Sequence, residues 1–177
     1  MTASATRRNV DIDKKSRTAL VLAIAGVLAF VVGFGSLAGG IFGIWYTYDQ
    51  AVAQDVVTPD DAVIPDTPVR GPFTMWAQSD IITHHQLDNT DGLYYAQMDR
   101  LVPEVDESGE VVLDENGDVV MVPNAVRASW LDATTLTTAL GLGIVSYALS
   151  GFAVAMGVTL MFIGYTFLHI RRRALIL

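Results

Sequence analysis

The side chains best suited to chemistry are two adjacent histidines, His84 and His85, in a segment with helical periodicity. Asp80, His84 and Asp88 are spaced four residues apart, so a helix would place all three on one face. One imidazole with two flexible carboxylates is a poor ligand set for Zn²⁺ or Cu²⁺. The ordinary polarity of a helix surface accounts for the pattern better, and we predict no metal site here.

No other arrangement of residues indicates catalysis or a bound cofactor. The acidic turns around Asp106 and Asp114 have the composition of a calcium loop but lack its alternating ligand spacing. The sequence has no cysteine, which excludes disulfides, thiolate metal sites and cysteine nucleophiles. It also lacks the nucleophile-elbow, phosphate-loop and Rossmann motifs. We therefore predict a protein that is not an enzyme, with no catalytic, metal or cofactor-binding residues and no cofactor.

Two long runs without Asp, Glu, Lys or Arg define the elements of the chain. Residues 18–48 and 133–170 form uncharged runs of 31 and 38 residues. About 20 apolar residues of helix cross a bilayer core, and a charge at its centre costs about 2.5–3.5 kcal/mol. The runs predict transmembrane helix 1 over residues 19–48 and a second helix over residues 133–170. Since 38 residues of helix reach about 57 Å, the second helix should project outside before it crosses.

The placement of charges predicts the orientation in the membrane. Eight of the eleven basic residues lie in the terminal segments 1–18 and 171–177. Residues 49–132 hold 17 acidic residues against three arginines, a net charge of −14. The positive-inside rule places both termini in the cytoplasm and segment 49–132 outside. The first run is about twice as long as the apolar core of a secretory signal, so we predict an uncleaved, multi-pass plasma-membrane protein.

Small residues recur at helical spacing in both uncharged runs. Such stripes let helix backbones approach closely, which is how helices associate in lipid. Gly33, Ser36 and Gly40 lie beside the stripe of the first run, which indicates a surface broad enough for a further helical partner. The predicted helix-packing interface consists of Gly35, Gly39, Gly43, Ser146, Ser150, Ala153 and Gly157.

The acidic segment 49–132 is predicted to form a small, mainly helical cap on the transmembrane hairpin. Residues 49–69 are rich in proline and acidic residues and resemble an extended linker. Gly71-Pro72 opens a helix, and Asn89-Thr90-Asp91-Gly92 ends it. Residues 93–100 are predicted to form a second short helix. The apolar residues expected to make contacts in this outer segment are Phe73, Trp76, Ile81 and Trp130.

One β-hairpin is predicted within the cap, over residues 110–122. Valine-rich stretches flank Asn116-Gly117, and Asn-Gly is the strongest short hairpin turn because both residues accept positive φ. Residues 107–112 and 115–120 also have similar sequences, which indicates a local duplication. The overall prediction is therefore a membrane all-α fold, a two-helix transmembrane hairpin whose outer cap carries one β-hairpin.

Two stretches of the chain resemble a known family. They are Val69-Arg70-Gly-Pro-Phe-Thr-Met-Trp-Ala-Gln-Ser-Asp-Ile-Ile-Thr-His-His and Asn124-Ala-Val-Arg-Ala-Ser-Trp-Leu, with the threonine-rich entry to the second run. They resemble small two-span actinobacterial membrane proteins that often carry the label "aromatic ring-opening dioxygenase LigA". Members are similar to supernumerary subunits of the cytochrome bcc–oxidase respiratory supercomplex. The resemblance covers both runs and about half of the segment between them, and hairpin 110–122 resembles an insertion.

The resemblance implies a non-catalytic accessory subunit that contributes to assembly or stability of that supercomplex. Its partners would be larger membrane subunits and the lipid bilayer, with neither nucleic acid nor a small-molecule substrate. The dioxygenase label has no counterpart in the residues, because such iron sites need two histidines and a carboxylate on one face. The alternative is a two-span sensor or binding module whose outer segment binds a ligand or a protein.

Overall fold

Three helices form most of this protein, for which the computed structural model describes the backbone of residues 2–176 and the side chains of residues 15–173. The chain divides into two compact units. The helix-pair unit comprises Met1–Asp49 and Ser146–Leu177, and the α2 unit comprises Gln50–Val145. The elements in chain order are helix α1 (Thr2–Ala53), helix α2 (Pro72–Asn89), a 3-10 turn (Tyr95–Gln97), strand β1 (Leu101–Pro103), strand β2 (Met121–Pro123) and helix α3 (Ala125–Ile176).

The first and last helices of the chain, α1 and α3, contain the predicted apolar runs. Each is long and apolar enough to cross a membrane, over Lys15–Ala53 in α1 and Ala125–Arg173 in α3. Helix α1 begins at Thr2, so the backbone of the basic N-terminal segment is helical and continuous with the apolar run. The side chains of Arg7, Arg8 and Lys14, on which the predicted orientation partly depends, lie outside the described residues.

Helix α3 begins earlier than the uncharged run predicts, at Ala125 instead of residue 133. The reason is Asn124, whose Oδ1 accepts a hydrogen bond from the backbone N–H of Arg127 at 2.9 Å. Asparagine is among the best residues for satisfying the free N–H groups of a helix start. The charged residues after it, including Arg127 and Asp132, therefore belong to the helix.

Helix α2 begins and ends where its sequence predicts. Its first turn is held by Thr74, whose Oγ1 accepts hydrogen bonds from the N–H groups of Arg70 and Gly71 at 3.1 and 3.2 Å. Beyond its end at Asn89, Gly92 adopts a φ of +78°, which glycine tolerates readily.

The second short helix predicted over residues 93–100 is wrong, because only the 3-10 turn Tyr95–Gln97 forms there. The carbonyl of Leu93 accepts hydrogen bonds from Thr90 Oγ1 at 2.6 Å and from Trp130 Nε1 at 3.0 Å. That carbonyl therefore already has two partners from outside the segment, and no regular helix starts from it.

The segment between α1 and α2 is folded back on itself and is not an extended linker. Val57 pairs with Pro68 in an antiparallel bridge. Between them, Thr58 is 1% exposed, and its Oγ1 lies 2.6 Å from the carbonyl of Ile64, to which it donates. The same oxygen accepts a hydrogen bond from the N–H of Thr67 at 2.9 Å. One buried hydroxyl thus closes a loop that composition alone describes as linker-like.

Residues 101–123 form two successive hairpins closed by a short ladder, which we call the double hairpin. Val105 pairs with Val111 across the first turn, and Leu113 pairs with Val119 across the second. A turn forms where Asn116-Gly117 predicts one, but its type differs: the N–H of Gly117 donates to Asp114 O at 3.0 Å, which puts Glu115 and Asn116 at the centre of the turn. Of Asn116 and Gly117, only Gly117 has positive φ, at +84°. The predicted single hairpin over residues 110–122 is nevertheless incomplete, because β2 pairs with β1 in the register Leu101↔Pro123, Val102↔Val122 and Pro103↔Met121.

Three backbone hydrogen bonds join the parts of the double hairpin in a closed cycle. The N–H of Glu104 donates to Val120 O at 2.8 Å, that of Val120 to Val112 O at 3.0 Å, and that of Val112 to Glu104 O at 2.9 Å. These residues are eight positions apart, which is also the period of the predicted local duplication. The two duplicated sequences therefore form the same kind of turn in the first and second hairpins, and the three hydrogen bonds join these hairpins at their centre.

Candidate functional site

The helix-pair unit is built on a seven-residue repeat of small buried residues in α1. Ala19, Gly26, Gly33, Gly40 and Thr47 are all buried. A seven-residue period keeps one face of a helix in contact with a neighbour, as in left-handed coiled coils. The contact stripe is thus made almost entirely of residues with little or no side chain.

The glycines of this stripe meet small residues of α3 in antiparallel order. A Cβ on Gly26 would lie 3.1 Å from Gly164 O. A Cβ on Gly33 would lie 2.8 Å from Gly157 O and 2.7 Å from Met161 N. Because these atoms belong to the backbone, they cannot rotate away from an added side chain. The two helices therefore pack so closely that these positions require glycine.

Two hydroxyl groups add polar contacts to the same interface. Ser36 Oγ donates to Ala153 O at 2.9 Å, and the hydroxyls of Thr47 and Ser146 are 2.7 Å apart. Such interhelical hydrogen bonds contribute about 0.6 kcal/mol each on average in membrane proteins. Shape, more than polarity, therefore holds the pair together.

The structure brings together five of the seven residues predicted to form this interface. Gly43 lies against Ser150, and Ser146, Ala153 and Gly157 also contact α1. A Cβ on Gly35 or on Gly39 would meet nothing within 4 Å, so neither residue faces α3. Of the four-residue glycine stripe, only Gly43 therefore faces α3, whereas the seven-residue stripe of Gly26, Gly33 and Gly40 lies against α3 along its length.

In the α2 unit, two of the four predicted contact residues are buried and two are exposed. Trp130 is 7% exposed, donates from Nε1 to Leu93 O at 3.0 Å and stacks on Tyr94 with 5.3 Å between ring centroids. Ile81 is also buried. By contrast, Phe73 is 77% exposed and Trp76 is 50% exposed. The aromatic residues of α2 are therefore not part of the packing around Trp130.

Sequence analysis missed two polar contacts that hold the start of α3. The guanidinium of Arg127 lies 3.7 Å from the centroid of the Tyr95 ring, and its Nε donates to Tyr95 O at 3.1 Å. Gln86 Nε2 donates to Ser129 Oγ at 2.6 Å. No local motif predicts these pairs, because the partners are 32 and 43 residues apart in the chain.

The two histidines have different partners. His84 Nδ1 lies 3.2 Å from Asp80 O, and His85 Nε2 lies 2.6 Å from Asp61 Oδ2 in the preceding loop. The hydrogen bond from His85 lowers the pKa of Asp61. Among residues whose side chains are described, no three histidine, cysteine, aspartate or glutamate residues are grouped to hold a metal ion. Asp88, the third member of the predicted face, is not part of either pair.

The aspartates of the acidic turns hold those turns in shape. Asp106 Oδ1 accepts from the N–H groups of Ser108 and Glu110 at 2.8 and 3.0 Å, and Asp114 Oδ1 accepts from those of Asn116 and Asp118 at 2.8 and 2.9 Å. The Ser108 hydroxyl, with the backbone donors, lowers the pKa of Asp106. The backbone donors of the second turn lower the pKa of Asp114 in the same way. These carboxylates are engaged by the protein itself.

A shallow groove of about 290 Å³ lies between α2 and the first turns of α3. Its lining is mixed, with amide, imidazole and carboxylate groups beside aliphatic side chains. The residues that give it this character are Ile82, His85, Gln86, Asn89, Asp132 and Leu136. These groups offer hydrogen-bond partners to a small polar molecule.

The chain matches no protein-family model, no curated protein and no solved structure. Its class is therefore defined by its own geometry. It is a mostly helical protein with two long apolar helices packed through small residues, and with a second unit that carries one short helix and the double hairpin.

Proposed function

We propose that this protein is a non-catalytic accessory subunit of a membrane protein complex. Helices α1 and α3 cross the bilayer as an antiparallel pair, both termini are cytoplasmic, and residues 49–132 are extracytoplasmic. The subunit docks against larger membrane subunits and contributes to their assembly or stability. The resemblance of residues 69–85 and 124–131 favours the actinobacterial cytochrome bcc–oxidase supercomplex as that assembly.

The membrane assignment is supported by the many apolar side chains of α1 and α3 that the protein itself does not bury. Only 11% of the most apolar window of each helix is buried within the protein. A soluble protein would have to expose the remaining apolar side chains to water, which opposes folding. Lipid removes that cost, and the excess of basic residues at the two ends of the chain sets the orientation.

The observation that carries the docking proposal is the second small-residue face of α1. Gly26, Gly33 and Gly40 are occupied by α3, whereas Gly35 and Gly39 meet nothing within 4 Å of an added Cβ. In lipid, an open glycine pair allows another helix to approach as closely as α3 does on the first side.

The test is co-purification of the tagged protein from its native membrane in mild detergent. Mass spectrometry and a reduced-minus-oxidised haem spectrum should report cytochrome subunits in stoichiometric amount. The double variant Gly35→Leu/Gly39→Leu should lose them, whereas Gly151→Leu, at another open glycine of the helix pair, should retain them. Recovery of the wild-type protein alone would contradict the accessory-subunit proposal, and recovery with a complex that lacks haem would contradict the respiratory assignment.

The groove beside His85 favours one alternative, a two-span sensor or binding module. Under that proposal, a small polar ligand would raise the Tm of the full-length protein in detergent. The groove variant Asn89→Leu should abolish that rise, and Asp88→Leu, one residue away and outside the lining, should leave it unchanged. No change of Tm with any ligand of a polar small-molecule panel would favour the accessory subunit.

A further inference from the structure

One face of the double hairpin is apolar and open to solvent. Side chains alternate between the two faces of a strand, and paired residues share a face. The pairings described above therefore place every odd-numbered strand residue on the same side, and these residues are all exposed. The even-numbered residues near the centre of the double hairpin are partly covered, namely Val102, Glu104, Val112, Val120 and Val122. The six large side chains of this face are 46–59% exposed: Leu101, Val105, Val111, Leu113, Val119 and Met121.

This exposed apolar surface is large for so small a sheet, and its contact with water is unfavourable. Two-stranded hairpins are marginally stable in water, and their apolar residues normally lean on a helix or on a third layer. Pro103 and Pro123 extend the same exposed face at the ladder that closes the structure. Contiguous exposed apolar patches with a polar rim are a mark of interaction surfaces.

The double hairpin that carries this face has charge of one sign, and two of its acidic residues lie at the turn tips that edge the face. Residues 101–123 contain seven acidic residues and no lysine, arginine or histidine. Asp106 and Asp114 are engaged in their turns, but Glu107 and Glu115 follow them at the exposed turn tips. An apolar centre with an acidic rim is complementary to an apolar patch bordered by lysine and arginine.

We propose that the apolar face of the double hairpin is the docking site for a partner protein whose contact patch is apolar with a basic rim. The charge decides between occupants. A second copy would bring the same acidic rim and be repelled, and anionic lipid headgroups would be repelled likewise. The proposal concerns a different surface from Gly35 and Gly39 and stands independently of the haem-containing partner.

The test is site-specific photo-crosslinking of the full-length protein in its native membrane. A benzophenone amino acid replaces Leu113 on the apolar face, or Val63 at an exposed position of the preceding loop as the control. We expect an adduct from position 113 but not from position 63. The crosslinked peptide of the partner, identified by mass spectrometry, should be apolar and flanked by lysine or arginine.

Charge variants separate this docking from general stickiness. Glu107→Lys/Glu115→Lys should lower the yield at position 113 by about fivefold or more, since juxtaposed like charges oppose the encounter. Asp60→Lys/Asp88→Lys changes the net charge equally at exposed positions elsewhere and should leave the yield unchanged. Raising NaCl from about 50 mM to about 500 mM should lower the wild-type yield, because screening shortens the range of the attraction.

Four outcomes would overturn the proposal: lipid adducts alone, self-adducts alone, no adduct, or an adduct equally sensitive to both charge variants. Equal abundance and Tm of the two charge variants shows that both fold. Loss of the haem-containing complex from the tagged protein, with the position 113 adduct retained, would remove the proposed respiratory assignment and leave this docking site in place.

Discussion

The helix-pair unit and the α2 unit are each stabilised internally by a different kind of contact. In the helix pair, the contact stripe is made of glycine, alanine and small hydroxyl residues, and the helices gain by backbone approach. In the α2 unit, a buried tryptophan, an arginine over a tyrosine ring and a buried threonine hydroxyl provide the contacts. Added side-chain atoms should therefore destabilise the helix-pair unit most, and removal of side-chain atoms should destabilise the α2 unit most. The four predictions below test that difference.

In the helix-pair unit, the largest effect is expected from a side chain added at Gly33. Gly33→Leu would place atoms 2.7 Å from Met161 N and 2.8 Å from Gly157 O, so the helices must separate. Overpacking costs about 1–3 kcal/mol, and rigid backbone on the far side puts this change at the upper end. Gly35→Leu, which meets nothing within 4 Å, should change the free energy of unfolding little. Unfolding of the full-length protein in mixed SDS micelles measures both, and equal losses would contradict the assigned face.

In the α2 unit, the largest effect is expected from a deletion at Trp130. Trp130→Ala removes the stack on Tyr94 and the hydrogen bond to Leu93 O, and core aromatic truncations cost about 3–5 kcal/mol. The matched control is Trp76→Ala, because Trp76 is half exposed and its loss should cost far less. Thermal unfolding followed by near-ultraviolet circular dichroism compares the two. A larger loss from Trp76→Ala would show that the α2 unit packs elsewhere.

The sequence predicts the elements of both units better than their contacts. Uncharged runs, Gly71-Pro72 and Asn116-Gly117 act locally, because hydropathy, a fixed proline φ and a positive glycine φ require no distant partner. The ladder between β1 and β2 was not predicted, since its register depends on residues about 20 positions apart. The same holds for Arg127 and Tyr95, which come together only once α3 starts directly after Asn124.

The helix interface shows why spacing alone is ambiguous. Both Gly35-x-x-x-Gly39 and Gly33-x-x-x-x-x-x-Gly40 satisfy the requirement for a small-residue stripe. What distinguishes them is the partner, because Ser150, Gly157 and Gly164 of α3 also repeat every seven residues. Matching the periods of two helices selects the face, whereas the pattern of one helix does not.

A smaller effect is expected from the hydroxyl that closes the loop before α2. Thr58→Val keeps the side-chain volume but leaves the N–H of Thr67 and the carbonyl of Ile64 without their partner. Unpaired buried groups cost about 1–3 kcal/mol, and because Ile64 and Thr67 are only partly buried, the cost should lie at the low end. Thr67→Val is the control, because its hydroxyl makes only an exposed contact to Pro65 O. Amide hydrogen exchange over residues 57–68 should accelerate in the first variant alone. Unchanged exchange would mean that the loop is ordered by other contacts.

The smallest effect is expected from the exposed pair of Asp61 and His85, which joins the same loop to α2 through charge. Because the His85 hydrogen bond lowers the pKa of Asp61 in the folded protein, the carboxylate stabilises the fold above the unfolded pKa of about 3.9. That contribution is lost as pH falls through the lowered folded pKa. Asp61→Asn should therefore lower the Tm slightly at pH 5, and this difference should shrink as pH falls through the lowered folded pKa of Asp61. His85→Gln should lower the Tm at pH 5 in the same way, whereas His84→Gln, whose ring contacts only its own helix, should not. A Tm difference between wild type and Asp61→Asn that stays constant from pH 5 to pH 2 would assign the contact to packing, and the loop would then resemble the rest of the α2 unit in depending on shape and neutral hydrogen bonds.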